Sequence, residues 1–151
     1  MDVTKDIHDV KIIPLKLLPN ERGRLMEVQR SDDSHFLGFG QAYVTATRPG
    51  FVKAWYRHTK QVDQIAAVNG LFKLVLFDSR RESTSRGKLQ EIILGELAPK
   101  LVQIPSGVWH GFKNIGENEA FLLHLNTVPF NFQNPDEERL SMETETIPYV
   151  W

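Results

Sequence analysis

A chain of 151 residues, 41% of them hydrophobic, is long enough for one core and too apolar to stay disordered. Its 18 basic and 19 acidic residues leave a formal net charge of −1, which excludes the field needed for general nucleic-acid binding and leaves room only for local basic pockets that take small anions. With no cysteine, disulfide-stapled folds, thiolate metal sites and thiol nucleophiles are excluded as well.

The chain starts with MDVTKDIHDV, whose acidic residues and lack of an apolar run do not suit a secretory leader. No later stretch approaches the roughly 18–20 apolar residues of a membrane span, so a cytoplasmic protein with no membrane partner is expected. Short apolar runs then follow one another: VKIIPLKLL, GRLMEVQR, GQAYVTATR, GFVKAWYRH, DQIAAVNG, LFKLVLFD, KLQEIILG, PKLVQIP, GVWHGFKN and AFLLHLN. Gly, Pro, Asn or Asp marks most junctions, which is the pattern of an all-β sandwich or barrel. Asn69-Gly70, between two such runs, predicts a type I′ hairpin, because that turn needs φ > 0 at both central residues. Only Thr84–Lys88 and Asp136–Leu140 suggest short helices. With no repeat and no linker, residues 1–151 are expected to form a single domain.

Two stretches carry chemistry. In KAWYRH, strand alternation puts Lys53, Trp55 and Arg57 on one face and Ala54, Tyr56 and His58 on the other, so a phenol and an imidazole point together. In IPSGVWHGFKN, the skeleton Pro105, Gly107, His110 and Asn114 resembles the second motif of the cupin barrels. The bland alternative is a tight turn followed by a core histidine. Tyr56-x-His58, with Gln64 and Gly70, stands where the first cupin motif has His-x-His, Glu and Gly. Two histidines, a phenol and an amide are a poor donor set for a divalent transition metal, so no metal is expected.

Longer segments extend the likeness. NERGRLMEV, PGFVKAWYRHTKQVDQIAAVNGLFKLVLFDSR, LVQIPSGVWHGFKNIGENEAFLLHL, NPDEERL and the closing IPYVW together resemble the dTDP-4-dehydrorhamnose 3,5-epimerase family, in particular its short branch. The resemblance implies a cupin jelly roll, a homodimer, and a nucleotide-diphospho-4-keto-6-deoxysugar as substrate. It also implies proton removal and return next to the ketone, with neither metal nor cofactor. Carried over by position, Arg22 would reach the diphosphate, Glu27 the nucleotide base, Gln41 the nucleotide pocket and Lys53 a phosphate, while His110 would stabilise an enolate oxygen. For Arg22, Lys53 and Glu27 the bland alternative is surface charge.

Two departures stand out. Tyr56 occupies the position of the family's histidine base, and Phe130 that of its proton-donating tyrosine. A phenol is a poor base at neutral pH, so His58 becomes the candidate base, with Tyr56 as donor. Phe130 is left with substrate binding. Two functions follow: an epimerase or isomerase with a rearranged acid–base pair, or a cupin that binds a nucleotide sugar without turning it over. A metal-dependent oxygenase is disfavoured by the missing ligands. His8 and His35 are expected at the surface, His124 as an ordinary strand residue, and Trp109 in packing. Asp78 and Arg80 are expected as a solvated pair, and NPDEERL as a turn with no catalytic carboxylate.

Overall fold

The structure, a computed structural model, describes residues 6–151, so the first half of MDVTKDIHDV lies outside it. The strands follow the apolar runs: β1 Lys11–Pro14, β2 Leu17–Asn20, β3 Gly23–Met26, β4 Gln41–Thr47, β5 Val52–Arg57, β6 Asp63–Asn69, β7 Leu71–Asp78, β8 Leu89–Gly95, β9 Lys100–Ile104, β10 Val108–Asn114, β11 Ala120–Asn126 and β12 Glu138–Arg139. One antiparallel sheet has the order β1-β9-β6-β11-β4 and a second the order β12-β5-β10-β7-β8, with β2-β3 as a separate hairpin. Two stacked antiparallel sheets with these crossovers make the expected jelly roll.

The main core lies between the sheets and includes Ile65, Phe72, Leu74, Leu76, Leu94, Val102, Ile104 and Leu122. The second sheet is also covered on its outer face, where Trp55, Val75, Phe77 and Trp109 pack under Leu140, Ile147, Tyr149 and Trp151 of the C-terminal segment. Burial on both faces explains why LFKLVLFD is nearly continuous in apolar residues rather than alternating. Trp109 is the packing residue expected, with the Arg57 guanidinium 4.5 Å from its ring centre.

Several local expectations are overturned. Asn69-Gly70 is not a hairpin turn: β6 pairs with β9 and β11, while β7 pairs with β8 and β10, so this junction carries the chain from one sheet to the other. Only Gly70 has a positive φ there, at 76°, and a Cβ on it would lie 2.4 Å from the Ala120 Cβ. Neither short helix forms. The Thr84–Lys88 region is a turn organised by Asp78, which is fully buried rather than solvated. The Asp78 carboxylate accepts from Arg80 Nε at 2.9 Å, Ser83 Oγ at 2.5 Å and Ser85 Oγ at 2.6 Å. Burial opposes the charge on Asp78, but these donors outweigh it and hold the carboxyl well below its ordinary range. Near Asp136 the chain forms β12, which pairs Glu138 with Arg57 and Arg139 with Tyr56.

The alternation expected in KAWYRH also breaks. Tyr56 lies opposite His110, and Lys53 opposite Phe112, so Ala54 and Trp55 together face Gly111. This bulge turns Lys53 onto the same face as Tyr56 and His58, and leaves Trp55 fully buried on the other. Gly111 is a requirement of the bulge, since a Cβ there would meet Ala54 Cβ at 2.4 Å and Trp151 Cζ2 at 2.8 Å. Gly111→Ala is therefore expected to destabilise the fold by about 1–3 kcal/mol, the usual cost of overpacking, seen as a lower urea midpoint with an unchanged slope.

Candidate active site

The bulge and the mouth of the sandwich together shape a cavity of about 150 Å³ between the sheets. Lys53, Tyr56 and His58 of β5 and the loop after it, with His110 and Phe112 of β10, form one wall; Tyr43 and Thr45 of β4, Asp63 of β6 and His124 of β11 form the other. A wider cleft of about 370 Å³ borders it, lined by Gln41, Lys60, Asn126, Phe130 and Phe132 among others. Tyr43, His58 and Glu137 line both spaces and so mark the neck between them.

Asp63 is the charged centre of the inner cavity and only 3% exposed. One carboxylate oxygen lies 3.2 Å from His110 Nε2, the other 3.5 Å from His124 Nδ1. Burial by itself would raise this carboxyl, but the two imidazoles that face it prevail and hold it well below the ordinary carboxylate range. His124 Nε2 lies 3.0 Å from Thr45 Oγ1, and the Tyr43 ring stacks on His124 with centres 4.4 Å apart and planes 10° from parallel. His124 is therefore a buried member of the site, not the ordinary strand residue expected.

Hydrogen bonds assign the roles of the two other imidazoles. His110 Nδ1 lies 3.1 Å from the Val108 carbonyl, which can only accept, so Nδ1 carries hydrogen. Its Nε2 faces the Asp63 carboxylate at 3.2 Å. His58 Nδ1 donates to the Asp136 carbonyl at 2.5 Å, which leaves Nε2 as the free ring nitrogen. The ring centres of His58 and Tyr56 are 5.4 and 6.4 Å from that of His110.

Asp136 secures the loop that carries His58. Its carboxylate accepts the N–H groups of Thr59 at 2.8 Å, Lys60 at 2.9 Å and Gln61 at 2.8 Å, and the Thr59 hydroxyl at 2.5 Å. Partial burial disfavours the charge, but these four donors overcome it and lower the carboxyl well below its usual range. NPDEERL thus supplies a carboxylate that positions the site, a part the sequence reading did not give it.

Of the residues expected to bind substrate, Lys53 is in the inner cavity, with Nζ donating to the Ala46 carbonyl at 2.7 Å. Gln41 and Phe130 are in the outer cleft, where Gln41 Oε1 accepts the Phe130 N–H at 2.8 Å. Phe130 packs edge-on against Phe132, with centres 4.9 Å apart. Arg22 and Glu27 reach neither space within one chain. The Arg22 side chain is 84% exposed in the β2–β3 turn, and Glu27, 63% exposed, sits 3.5 Å from Arg30.

Gln64 does not stand in a ligand position. It lies fully buried and bonded to Gln29, Gln103 and the Leu125 carbonyl, and the residue facing the cavity is its neighbour Asp63. His58, Asp63 and His110 consequently offer three donor atoms within 4.8 Å of one another, a set that could hold a metal ion. Two of these groups, His110 Nε2 and the Asp63 carboxylate, face each other at 3.2 Å, so a metal there would have to come between them. Among the described residues, no helix is long and apolar enough to cross a membrane.

The sequence profile of the dTDP-4-dehydrorhamnose 3,5-epimerase family matches residues 4–151. The chain is 36% identical over 148 residues to the probable low-salt glycan biosynthesis epimerase Agl13 of Haloferax volcanii, covering 97% of this chain and 95% of that one. It is 34% identical over 145 residues to the spore coat polysaccharide biosynthesis protein SpsL of Bacillus subtilis, covering 96% of each. The crystal structure of a dTDP sugar isomerase from Desulfovibrio desulfuricans superposes with a TM-score of 0.92 at 29% identity, over 96% of this chain and 92% of the other. A jelly roll with a histidine-lined cavity, matched along nearly its whole length, makes this chain a member of the dTDP-4-dehydrorhamnose 3,5-epimerase family.

Proposed function

We propose that the chain is an epimerase or isomerase of a nucleotide-diphospho-4-keto-6-deoxysugar, with a dTDP-hexose as the leading candidate. Its reaction is proton abstraction next to the ketone, without metal or cofactor, in deoxysugar or polysaccharide biosynthesis. The observation that carries this reading is the convergence of Lys53, Tyr56, His58 and His110 on one cavity. His58, with Nδ1 committed to a carbonyl, offers Nε2 to the C–H bond as general base. His110, backed by Asp63, and the Tyr56 phenol then supply hydrogen bonds to the ketone oxygen as it turns into an enolate. Such donors matter more in a dry cavity than in water, because the charge they meet develops only in the transition state.

The outer cleft suits the nucleotide. Lys60 offers a cation there, Gln41 an amide, and Phe130 with Phe132 an aromatic surface for a base. Lys53, nearer the sugar, is the first candidate for a phosphate oxygen. A homodimer and a single catalytic domain belong to the same proposal. Arg22 and Glu27 lie away from both spaces, so they meet a nucleotide only if a second copy brings its cleft to them. Among the described residues β4 has an unpaired edge, and this edge with the exposed Val44 and Phe51 offers a surface for that copy. A cytoplasmic site of action accompanies a substrate whose diphosphate charge keeps it from crossing a bilayer.

The intact polar apparatus behind His110 and His58 speaks against a cupin that only binds. Incubation with a dTDP-4-keto-6-deoxyhexose in D₂O is expected to place deuterium on a carbon adjacent to the ketone, followed by NMR, with no loss of rate after dialysis against a chelator. Thermal stabilisation by dTDP with no deuterium entering would reduce the chain to a binding module, and a chelator-sensitive rate would overturn the metal-free mechanism.

A further inference from the structure

Epimerisation needs something that His58, Tyr56 and His110 do not provide. A base on one face of the planar enolate must be answered by an acid on the other. Tyr56 and His58 belong to the same wall, contributed by the second sheet and the loop that follows β5, so a proton returned by Tyr56 lands on the face it left. Phe130 has no proton to give and lies in the outer cleft. Resting on the epimerase reading above, we infer that Tyr43 is the proton donor that completes the inversion.

Tyr43 is a phenol on the opposite sheet, and with His58 it lines both the inner cavity and the outer cleft. A sugar ring at that neck has His58 against one face and Tyr43 against the other. The Tyr43 ring is fixed by its stack on His124, which Asp63 and Thr45 hold in turn, so the hydroxyl position is inherited from the buried centre of the site. Burial, with the nearby Asp63 charge, pushes the phenol up to about 12, so it rests protonated and its anion is basic enough to run the reverse reaction.

The balance of the step is simple. His58 Nε2 takes the proton from the carbon beside the ketone, and the C–H electrons move to the ketone oxygen as an enolate. Tyr43 then gives its O–H proton to the same carbon from the other side; the enolate electrons form the new C–H bond and the C=O is restored. Tyrosinate recovers a proton from water in the cleft and His58 releases one, leaving no net change.

Tyr43→Phe removes one oxygen and keeps the stacked ring. In D₂O it is expected to keep deuterium exchange at the ketone-adjacent carbon within about threefold of wild type, while inversion at that carbon falls by about 10²-fold or more. Tyr56→Phe is expected to slow exchange and inversion together. Wild-type inversion by Tyr43→Phe overturns the proposal, as does a parallel fall of both rates in a variant that melts normally. Uncoupling by Tyr56→Phe instead would make Tyr56 the donor and also overturn it. A wild type that exchanges nothing sinks the epimerase reading first, and this assignment with it. If Tyr43→Phe fails to fold, 3-fluorotyrosine at position 43 makes the phenol more acidic and is expected to move the alkaline limb of inversion, but not of exchange, to lower pH; an unmoved limb overturns the assignment.

Discussion

His58→Ala is expected to lower solvent exchange at the ketone-adjacent carbon by about 10²–10⁴-fold, the range for a lost general base. The direction follows from the tautomer. The Asp136 carbonyl takes the hydrogen of Nδ1, so the lone pair sits on Nε2 at the cavity wall. His110 Nδ1 donates to the Val108 carbonyl and its Nε2 faces Asp63 at 3.2 Å, while His124 turns Nε2 to Thr45 and Nδ1 toward Asp63, 3.5 Å away. Neither can stand in without breaking a buried contact. His58 borders the cleft rather than the core, so the alanine variant should melt near wild type and still be stabilised by dTDP. Exchange by His58→Ala at the wild-type rate would remove the base from the mechanism.

Asp63→Asn should be the most damaging single substitution in both stability and turnover. Asp63 is the shared partner of His110 and His124, with 3% of its surface exposed. Breaking a buried pair by removing one partner costs about 3–5 kcal/mol, because the remaining polar groups stay buried without compensation. An amide carries no charge and keeps only one accepting oxygen, so the carboxylate's hold on the two rings is lost. Turnover falls with it, since His110 loses the carboxylate it faces, and losing a donor to the developing enolate costs about 10²–10³-fold. The pH dependence has a definite sign. The Asp63 carboxyl is depressed in the fold, so its contribution is complete above the ordinary carboxylate pKa of about 4 and is lost as pH falls below it. Urea midpoints of wild type and Asp63→Asn should therefore lie far apart at pH 7 and draw together on acidification below about pH 4. A gap that widens toward acid would mean that Asp63 is not held as the anion.

What could be read from the chain and what could not divides along physical lines. Strand positions were legible because Gly, Pro, Asn and Asp punctuate each apolar run, and that signal is local. Whether Asn69-Gly70 folds a strand back or sends it to the other sheet depends on partners 30 or more residues away, such as Leu101 opposite Ala66. The bulge at Ala54 and Trp55 was hidden for a related reason: strict alternation is the default, and the space that permits two residues against one is made by Gly111 on another strand. Asp63 and Gln64 are adjacent and polar, so only register decides which faces the cavity. His124 did carry a signal. In AFLLHLN the buried positions are Ala120, Leu122, His124 and Asn126, so its parity with Leu122 already put it indoors. Asp136 had none, because a loop carboxylate shows its purpose only when the amides it gathers are in view.

The contact between His58 and Asp136 spans 78 positions of sequence. A ribosome that has released the first strands of this protein has made the imidazole but not the carbonyl that fixes its tautomer. A fragment ending short of residue 136 lacks the carbonyl that aims the proposed base. The aim of the proposed base is therefore set only late in synthesis, once the chain has passed residue 136.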